Sequence, residues 1–355
     1  MRVLTRYILK EFFSIFFTAS FILVGIFLVG NAFDFAAKLI AGGAGFFNIL
    51  KIFLLGIPSS FVFVIPVAFL IGWLATLSRL SAQSEIIAIQ SSGVNPNFFL
   101  KSIFLTTLLT CAFLLYSNSF LAPKSNLNMN QEIKKIISEG FLKIEPETFS
   151  KFGNFVFYVG KKDNENLYNI NIFENNEKNR IKTKIFAKKG KIQKDQNQKI
   201  TILLEDGIMI SYENALKDII KIKFKKYIFG ITGEDKREEE MELSTFTTEK
   251  LFKMLKKNRK DEKKSRVILT EIHTRFVLGL TPLFLILPGV FLSIRVKNPK
   301  RIVGMGIALL LVGVYYFIFT VFFNLVENRI LTPEIGLWIP GIFMVILGFF
   351  FREKR

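Results

Sequence analysis

Histidine and cysteine are almost absent from this chain. Its 355 residues include one histidine, His273, and one cysteine, Cys111. One cysteine cannot form an intrachain disulfide, so any exported part of the chain must be held together by its core alone. Ordinary zinc sites draw several ligands from cysteine and histidine, and this composition excludes them. We therefore expect no metal site.

The glycine motifs of nucleotide binding are missing too. The sequence contains no GxxxxGK[ST] loop, and no glycine-rich dinucleotide fingerprint follows a predicted strand. The apolar runs carry no paired acids, which argues against a proton-coupled carrier built on buried carboxylates. The one polar constellation near an apolar run is Glu271-Ile-His273-Thr-Arg275, and a capping and interfacial role explains it more simply than catalysis. We expect neither catalytic residues nor a cofactor bound by this chain.

Long apolar runs dominate what is present. Apolar residues make up 50% of the chain and charged residues 22%, and the mean hydropathy is +0.37. An uncharged run of about 20 residues can span the hydrocarbon core of a bilayer. Six such runs occur, at 12–33, 52–78, 102–122, 276–294, 302–326 and 335–351. They predict an α-helical membrane protein with six transmembrane helices. The first run is too long for a signal peptide, so we interpret it as a retained span.

Lysine and arginine in the short loops set the orientation, because cytoplasmic loops carry the excess of these residues. One side carries twelve of them, against Lys38 and Arg329 on the other. The twelve are Arg2, Arg6, Lys10, Arg79, Lys101, Arg295, Lys297, Lys300, Arg301, Arg352, Lys354 and Arg355. We expect both termini in the cytoplasm and the long segment 123–266 outside. The net charge of +19 does not indicate a nucleic-acid partner, since six spans place the chain in a membrane.

Alternating apolar and polar residues fill the segment 154–230. Five runs have this period of two: NFVFYVG, YNINIFE, KTKIFAKKGKIQ, KITILLEDGIMISY and IIKIKFKKYIFGI. Turn sequences accompany them: KKDNEN, ENNEKN, KDQNQ, EDG and YENALKD. The pattern predicts an inserted all-β domain, either a β-sandwich, a jelly roll or a half-open roll. One sheet face is either an ordinary core face or a concave surface that holds acyl chains. Segments 126–138 and 247–266 are predicted to be its helical connectors.

These runs divide the chain into three parts. Residues 1–122 form an N-terminal membrane half with three spans, and residues 123–266 form the extracytoplasmic β-domain with its connectors. Residues 267–355 form a C-terminal membrane half with the other three spans. We expect an additional helix at 79–92, between the second and third spans.

The stretch LSRLSAQSEIIAIQSSGVN, residues 77–95, is the most unusual connection. Its carboxylate, Glu85, is costly to bury in lipid. Gly93 is a helix stop and Pro96 fits the start of the next helix, which leaves about three turns at the membrane surface. Leu80 and Ile87 share a face of that helix, while Ile86 diverges from them. A helix that is apolar on more than one side needs a second partner besides the bilayer, most simply another protein.

Several motifs here resemble the LptF/LptG family of lipopolysaccharide-export permeases. RLSAQSE (79–85), IIAI (86–89) and SSGV (91–94) resemble the family's coupling helix, which docks into a groove of the cytoplasmic ATPase LptB. RYILKEF (6–12) resembles its amphipathic N-terminal helix, IP…IPVAFLIG (57–72) its second span and EIHTRF (271–276) the start of its fourth. The resemblance covers essentially the whole chain, and RLSxxSE is closer to LptF than to LptG.

The resemblance implies a function and a set of partners. An LptF–LptG heterodimer in the bacterial inner membrane, powered by an LptB dimer that holds ATP and Mg²⁺, would draw a glycolipid from the outer leaflet. A jelly-roll or β-taco-like periplasmic domain would pass the lipid to LptC and LptA. The first and fifth spans would form the gate. The implied ATPase-coupling residues are Arg79, Ser84, Glu85, Ile86, Ile89 and Gly93.

The implied substrate contacts are basic residues, because the lipid carries phosphates. Lys38, at the outer end of the first span, is the best single candidate, and Arg275 and Arg329 are weaker ones. Interfacial snorkelling explains each of them as well. The family usually has more than one basic residue at the end of the first span, whereas DFAAKLIAGG (34–43) offers Lys38 alone. A less phosphorylated glycolipid is therefore an alternative substrate.

Two other functions remain open at this point. In the first, the same coupling helix drives the outer domain mechanically, and no lipid passes through the spans. In the second, the β-domain is the active module of a membrane-anchored enzyme or receptor. The 154–230 segment shows no catalytic constellation, which argues against the enzyme, and a receptor has no evident need for six spans and a docking helix.

Overall fold

A computed structural model describes residues 2–41, 44–92, 97–142, 145–152, 155–175, 181–194, 200–213, 218–230, 243–258, 261–295 and 301–353. The chain forms two compact units. The first comprises Met1–Val29, Gly56–Leu127 and Glu240–Arg355. The second comprises Gly30–Leu55 and Asn128–Glu239, so it includes the β-domain.

Six helical segments of the described chain are long and apolar enough to cross a membrane, which confirms the six predicted spans. They are Val3–Gly30, Phe46–Ala82, Leu100–Ile136, Glu262–Ser293, Ile302–Glu327 and Pro333–Phe351. The helices are α1 (Arg2–Ala41), α2 (Phe46–Ala82), α3 (Glu85–Ser91), α4 (Asn97–Tyr116), α5 (Ala122–Leu142), α6 (Thr248–Lys257), α7 (Glu262–Gly279), α8 (Thr281–Arg295), α9 (Arg301–Glu327), α10 (Pro333–Gly336) and α11 (Ile339–Glu353). A π-helix, Ser117–Leu121, joins α4 to α5.

The fourth span consists of two helices, α7 and α8. The break lies at Leu280, whose N–H bonds back to the carbonyls of Phe276 (3.0 Å) and Val277 (3.2 Å). Pro282 follows two residues later, at the second position of α8, and a proline has no N–H with which to continue the ladder. At the other end, the Asp261 carboxylate caps α7 by accepting from the N–H of Lys264 at 3.2 Å. The predicted helical connector 247–266 is therefore divided between α6 and the start of α7.

Close contacts at glycines hold the helices of the first unit together. The ring of Phe12 on α1 stacks on Trp73 of α2, with centroids 4.6 Å apart. Beside it, a Cβ on Gly72 would lie 3.0 Å from the Phe12 ring. On α9, a Cβ on Gly304 would overlap the Leu74 carbonyl and lie 2.5 Å from the Ser78 hydroxyl. Small residues allow two helices to approach this closely. In a bilayer the hydrophobic effect does not drive helices together, because lipid is itself apolar, so close packing drives their association instead.

Gly304 and Gly306 form a matched pair on α9 that tests this packing. A Cβ at Gly306 meets nothing within 4 Å. We expect Gly304→Ala to destabilise the chain by about 1–3 kcal/mol, because α9 must move off α2. Gly306→Ala is expected to be neutral or to stabilise by up to about 1 kcal/mol, through helix propensity. Tryptophan-monitored unfolding in detergent measures both, and equal effects would contradict the packing.

The second unit contains one antiparallel sheet with the strands in chain order, β1-β2-β3-β4-β5-β6. The strands are β1 (Phe149–Phe152), β2 (Phe155–Asp163), β3 (Asn166–Asn175), β4 (Ile181–Lys194), β5 (Ile200–Glu213) and β6 (Asp218–Gly230). The five predicted runs are β2 to β6, which confirms the all-β domain, and β1 was not predicted. A jelly roll needs crossovers between non-consecutive strands. The strand order of the described sheet agrees with the half-open roll instead.

A crease crosses the sheet at one row of residues. Gly160, Asn169, Lys188, Asp206 and Lys225 occupy this row, and the regular pairing of neighbouring strands skips all of them. Asn169 and Asp206 have left-handed backbone conformations, with φ of 54° and 51°. Asp206 belongs to the EDG sequence that was predicted as a turn. That prediction is wrong in position: EDG lies inside β5, where it bends the strand rather than ending it.

The crease reverses the alternation of buried side chains. On β4, Ile185 and Ala187 are buried before the crease and Ile192 is buried after it. Two consecutive residues, Lys188 and Lys189, are exposed between them. This shift of one residue places the apolar side chains of both halves of the strand in the same core. A sheet that folds over on itself requires this arrangement.

Contacts between distant strands show that the sheet closes over this core. In a flat sheet β2 and β6 would lie roughly 19 Å apart. Yet the Phe229 ring on β6 lies 5.2 Å from that of Phe155 and 5.9 Å from that of Phe157, both on β2. The roll is open along part of β6. Ile222 pairs with Met209, on the inner face, but is 50% exposed.

Candidate functional site

The predicted helix 79–92 divides into two pieces in the structure. Residues up to Ala82 belong to α2, and α3 covers only Glu85–Ser91. The N–H groups of Gln83 and Ser84 bond back to the carbonyls of Arg79 (3.1 Å) and Ser81 (3.0 Å). Ser84 then takes a left-handed conformation, with φ of 56°, which ends α2. The surface helix is therefore two turns long rather than three.

Opposite faces of α3 have different surroundings. Ile86 and Ile89 pack against the buried hydrophobic core that the membrane helices form with one another. The fully buried Leu80, at the end of α2, belongs to the same core. Ser84, Ala88 and Ser91 are exposed, and so is Ile87, at 65% of its surface. Ile87, Ala88 and Ser91 follow a helical spacing, so they form one outward face of α3, and Ser84 lies at its N-terminal end. We call it the outer face of α3. The helix was predicted to be apolar on more than one side, and the structure shows why: Ile86 and Ile89 lie on the inner side and Ile87 on the outer side.

Arg79 joins three segments through one guanidinium. Its Nη1 donates to Gln83 Oε1 (2.5 Å) and to Glu85 Oε1 (3.2 Å). Its Nη2 donates to the Tyr7 hydroxyl at 2.8 Å, and its Nε lies 3.0 Å from Glu11 Oε1. The Tyr7 hydroxyl in turn donates to Glu85 Oε1 at 3.3 Å. We call Tyr7, Glu11, Arg79, Gln83 and Glu85 the Arg79 cluster.

The coupling residues predicted from the sequence are thus partly brought together. Arg79 and Glu85 are in direct contact, and Ser84 forms the turn between them. Ile86 and Ile89 are partly buried against the core of the membrane helices, and their contact with an outside partner stays a prediction. Gly93, like Pro96, lies outside the described residues. Tyr7 and Glu11 were not predicted as site residues from the sequence. Glu11 is the one carboxylate before Asp34 in a basic N-terminus, which is the same signal that drew attention to Glu85.

Arg275 is a buried clamp. Only 7% of its side chain is exposed, and it pairs with Glu271 one turn earlier on α7 at 2.8 Å. Its remaining donors bond the carbonyls of Phe246 (2.8 Å) and Leu243 (3.1 Å) and the Thr248 hydroxyl (3.2 Å). The guanidinium thus holds the segment before α6 against α7. Arg275 as a substrate contact stays a prediction, and in this structure its donors bind side chains and carbonyls of its own chain.

The other two predicted substrate contacts are Arg329 and Lys38. Arg329 is exposed in the turn after α9, with φ of 62°. Arg266 holds that turn by donating to the carbonyls of Val326 (3.1 Å) and Leu331 (2.5 Å). Lys38 lies in the part of α1 whose side chains are outside the described residues. Both Lys38 and Arg329 stay predictions.

The described residues contain no group of three or more histidine, cysteine or acidic side chains that could hold a metal. In the first unit, the charged groups of the Arg79 cluster and of the Arg275 clamp bind one another and join neighbouring helices.

The family model for the lipopolysaccharide export system permeases LptF and LptG matches residues 6–354. The chain belongs to the LptF/LptG family. The match runs through both membrane halves and the β-domain, so this family member is a multi-pass inner membrane protein with an inserted all-β domain.

Individual relatives of this LptF/LptG-family chain are distant. LptG, a lipopolysaccharide export system permease protein of Escherichia coli (strain K12), is 26% identical over 194 residues, or 53% of either chain. An uncharacterised protein of Aquifex aeolicus is 22% identical over 327 residues, covering 85% of this chain and 84% of its own length. The match with LptG thus spans about half of that relative. The family model covers both subunits, so the sequence-based preference for LptF stays a prediction.

The Arg275 clamp predicts a stability effect. We expect Arg275→Met to destabilise the protein by about 3–5 kcal/mol, because it leaves the Glu271 carboxylate and two carbonyls without their partner. Lys253→Met is the matched control, since it breaks an exposed pair with Glu249 on α6 and should change nothing measurable. Thermal unfolding and limited proteolysis near Leu243 measure both. A stable Arg275→Met protein would contradict the clamp.

Proposed function

We propose that this chain is the permease subunit of an ABC transporter. It extracts lipopolysaccharide or a related glycolipid from the outer leaflet of the inner membrane and passes it to a periplasmic bridge. A separate ATPase supplies the work, since the sequence has no nucleotide-binding loop. Helix α3 carries the proposal: it is a short helix with an unpartnered outer face, attached to the end of a span in a chain from an export family.

The outer face of α3 is the surface for the ATPase. Ile86 and Ile89 anchor the helix to the membrane core, which leaves Ile87 and its small neighbours free for a partner. An exposed apolar side chain with small residues around it can fill a groove in another protein, where it becomes desolvated. With both termini in the cytoplasm, as the positive charges indicate, α3 lies on the side where ATP is available.

Charge in the Arg79 cluster also favours a cationic partner. Glu11 and Glu85 share one guanidinium, so two negative charges face one positive charge. Glu85 is 30% exposed and can still accept a charge-assisted hydrogen bond from a lysine or arginine of the ATPase. Glu85 thus contacts both its own chain and the partner.

The spans support pairing with a homologous subunit. On α9, Gly306, Gly313 and Thr320 are exposed at intervals of seven residues, and a Cβ on either glycine would meet nothing within 4 Å. A stripe of small residues suits close contact with another helix. The first and fifth spans, α1 and α9, then form the gate for the lipid, with Lys38 and Arg329 as candidate contacts for its phosphates.

The β-domain is proposed to receive the acyl chains in the periplasm and pass them to LptC and LptA-type proteins. Its inner face is closed around Phe157, Ile170 and Ile202, all fully buried. The same face becomes accessible at Ile220 and Ile222 on the edge strand β6, which are 46% and 50% exposed. An apolar interior with one accessible side admits a chain that slides in laterally.

The first test is co-purification with the products of the neighbouring operon. We expect an ATPase to co-elute with the wild-type protein, and to be lost with Ile87→Ser, which removes the apolar anchor of the outer face. Ile330→Ser is the matched control, because Ile330 is equally exposed (67% against 65%) but lies beyond α9. Glu85→Ala should lose or uncouple the ATPase. If no ATPase co-elutes with wild type, the transporter is the wrong function.

A further inference from the structure

Among its described side chains, the first span is buried most deeply near its N-terminal end. Ile8, Phe12 and Ile15 of α1 are buried against the core. Further along, Phe21, Ile26 and Val29 are 83%, 63% and 59% exposed. In the most apolar window of this span 11% of residues are buried, against 67% in Glu262–Ser293. From Ile15 to Val29 the helix extends for about 21 Å. One face of this length contacts its own chain, through Phe16, Ala19 and Leu23 on the core and through the Phe27 ring on Phe63, and the other face is exposed.

This N-terminal end of α1 is also where the Arg79 cluster lies. Glu11 comes directly before Phe12, and Tyr7 directly before Ile8, so the buried and the polar contacts alternate along the same two turns. The side chains of Glu11, Arg79 and Glu85 are 25%, 19% and 30% exposed. Partial burial strengthens their mutual attraction over that of an exposed pair. Glu85 is the first residue of α3, so α3 and α1 are joined through one guanidinium.

We propose that Glu11 and Tyr7, acting through Arg79, tie the docking helix α3 to the first membrane span, so that a displacement of α3 is passed to α1. The inference rests on the proposed function, because an ATPase must move α3. Glu11 and Tyr7 are positioning residues, because they act on α3 through Arg79.

The test uses the complete complex with its co-expressed ATPase in lipid nanodiscs. Cys111→Ser provides a cysteine-free chain, since Cys111 is the one cysteine. An environment-sensitive fluorophore is placed at Ile22→Cys on α1, which is 54% exposed. A control fluorophore at Ile346→Cys on α11, 61% exposed, reports general changes of the membrane environment. Emission is recorded before and after nucleotide is trapped with vanadate.

We expect trapping to shift the emission of the probe at position 22. Glu11→Gln should abolish that shift while the ATPase remains bound and hydrolyses ATP, because Glu11 makes no contact with the outer face of α3. Tyr7→Phe, which removes only the hydroxyl, should reduce the shift. Glu249→Gln breaks an exposed pair on α6 and should leave the shift intact. The probe at position 346 should respond equally in all variants.

The outcomes separate the two proposals. If the ATPase stays bound but the shift at position 22 is absent in the parent, or persists in both Glu11→Gln and Tyr7→Phe, the tie between α3 and α1 is refuted and the proposed function survives. If no ATPase binds the parent complex, both proposals fall. If Glu11→Gln does not accumulate, Tyr7→Phe alone decides.

Discussion

A charged side chain at the end of an apolar helix must reach water or find opposite charge. Arg79 finds opposite charge, and the arrangement of the helices around it depends on these ion pairs. Its guanidinium holds Glu11 and Tyr7 of α1 and Glu85 of α3 against the last turn of α2. Without this cluster, the left-handed turn at Ser84 would leave α3 attached by a chain segment and by Ile86 and Ile89 alone.

Glycine gives the membrane unit its geometry in two opposite ways. At Gly72 and Gly304 a Cβ would collide with a neighbouring helix, so these positions set how closely α1 and α9 approach α2. At Gly25 and Gly306 a Cβ would meet nothing within 4 Å. The same residue type thus marks both the inside of one subunit and the faces that it presents to lipid or to a partner. Helices in a bilayer gain nothing from excluding water. Their association therefore depends on close packing within a subunit and on small residues at its outer faces.

The β-domain solves a different problem, since one sheet must bury its own apolar face. A flat meander would leave that face open to water. The crease at Asn169 and Asp206 folds each strand over, and the change of alternation across it keeps the apolar side chains inside. The result is a core made by a single sheet, closed at Phe229 and accessible at Ile222. Stability and access to the interior come from the same bend.

Periodicity and charge determined much of this protein. The six spans, the five main strands and the helical connectors follow from apolar runs and alternation, because bilayer thickness and strand pleat impose those patterns on any sequence. The sequence also predicted that residues 77–95 are unusual, because the lone carboxylate of Glu85 between two spans is costly to bury in lipid. Only the tertiary structure decided how distant residues combine. Glu11 and Glu85 are far apart in the sequence, and their sharing of Arg79 follows from the packing of α1 on α2. The same holds for Arg275, which looked like an interfacial cation and is a clamp because α6 folds back onto α7. Neither fact is encoded in local pattern, since each depends on a contact whose partners only folding brings together.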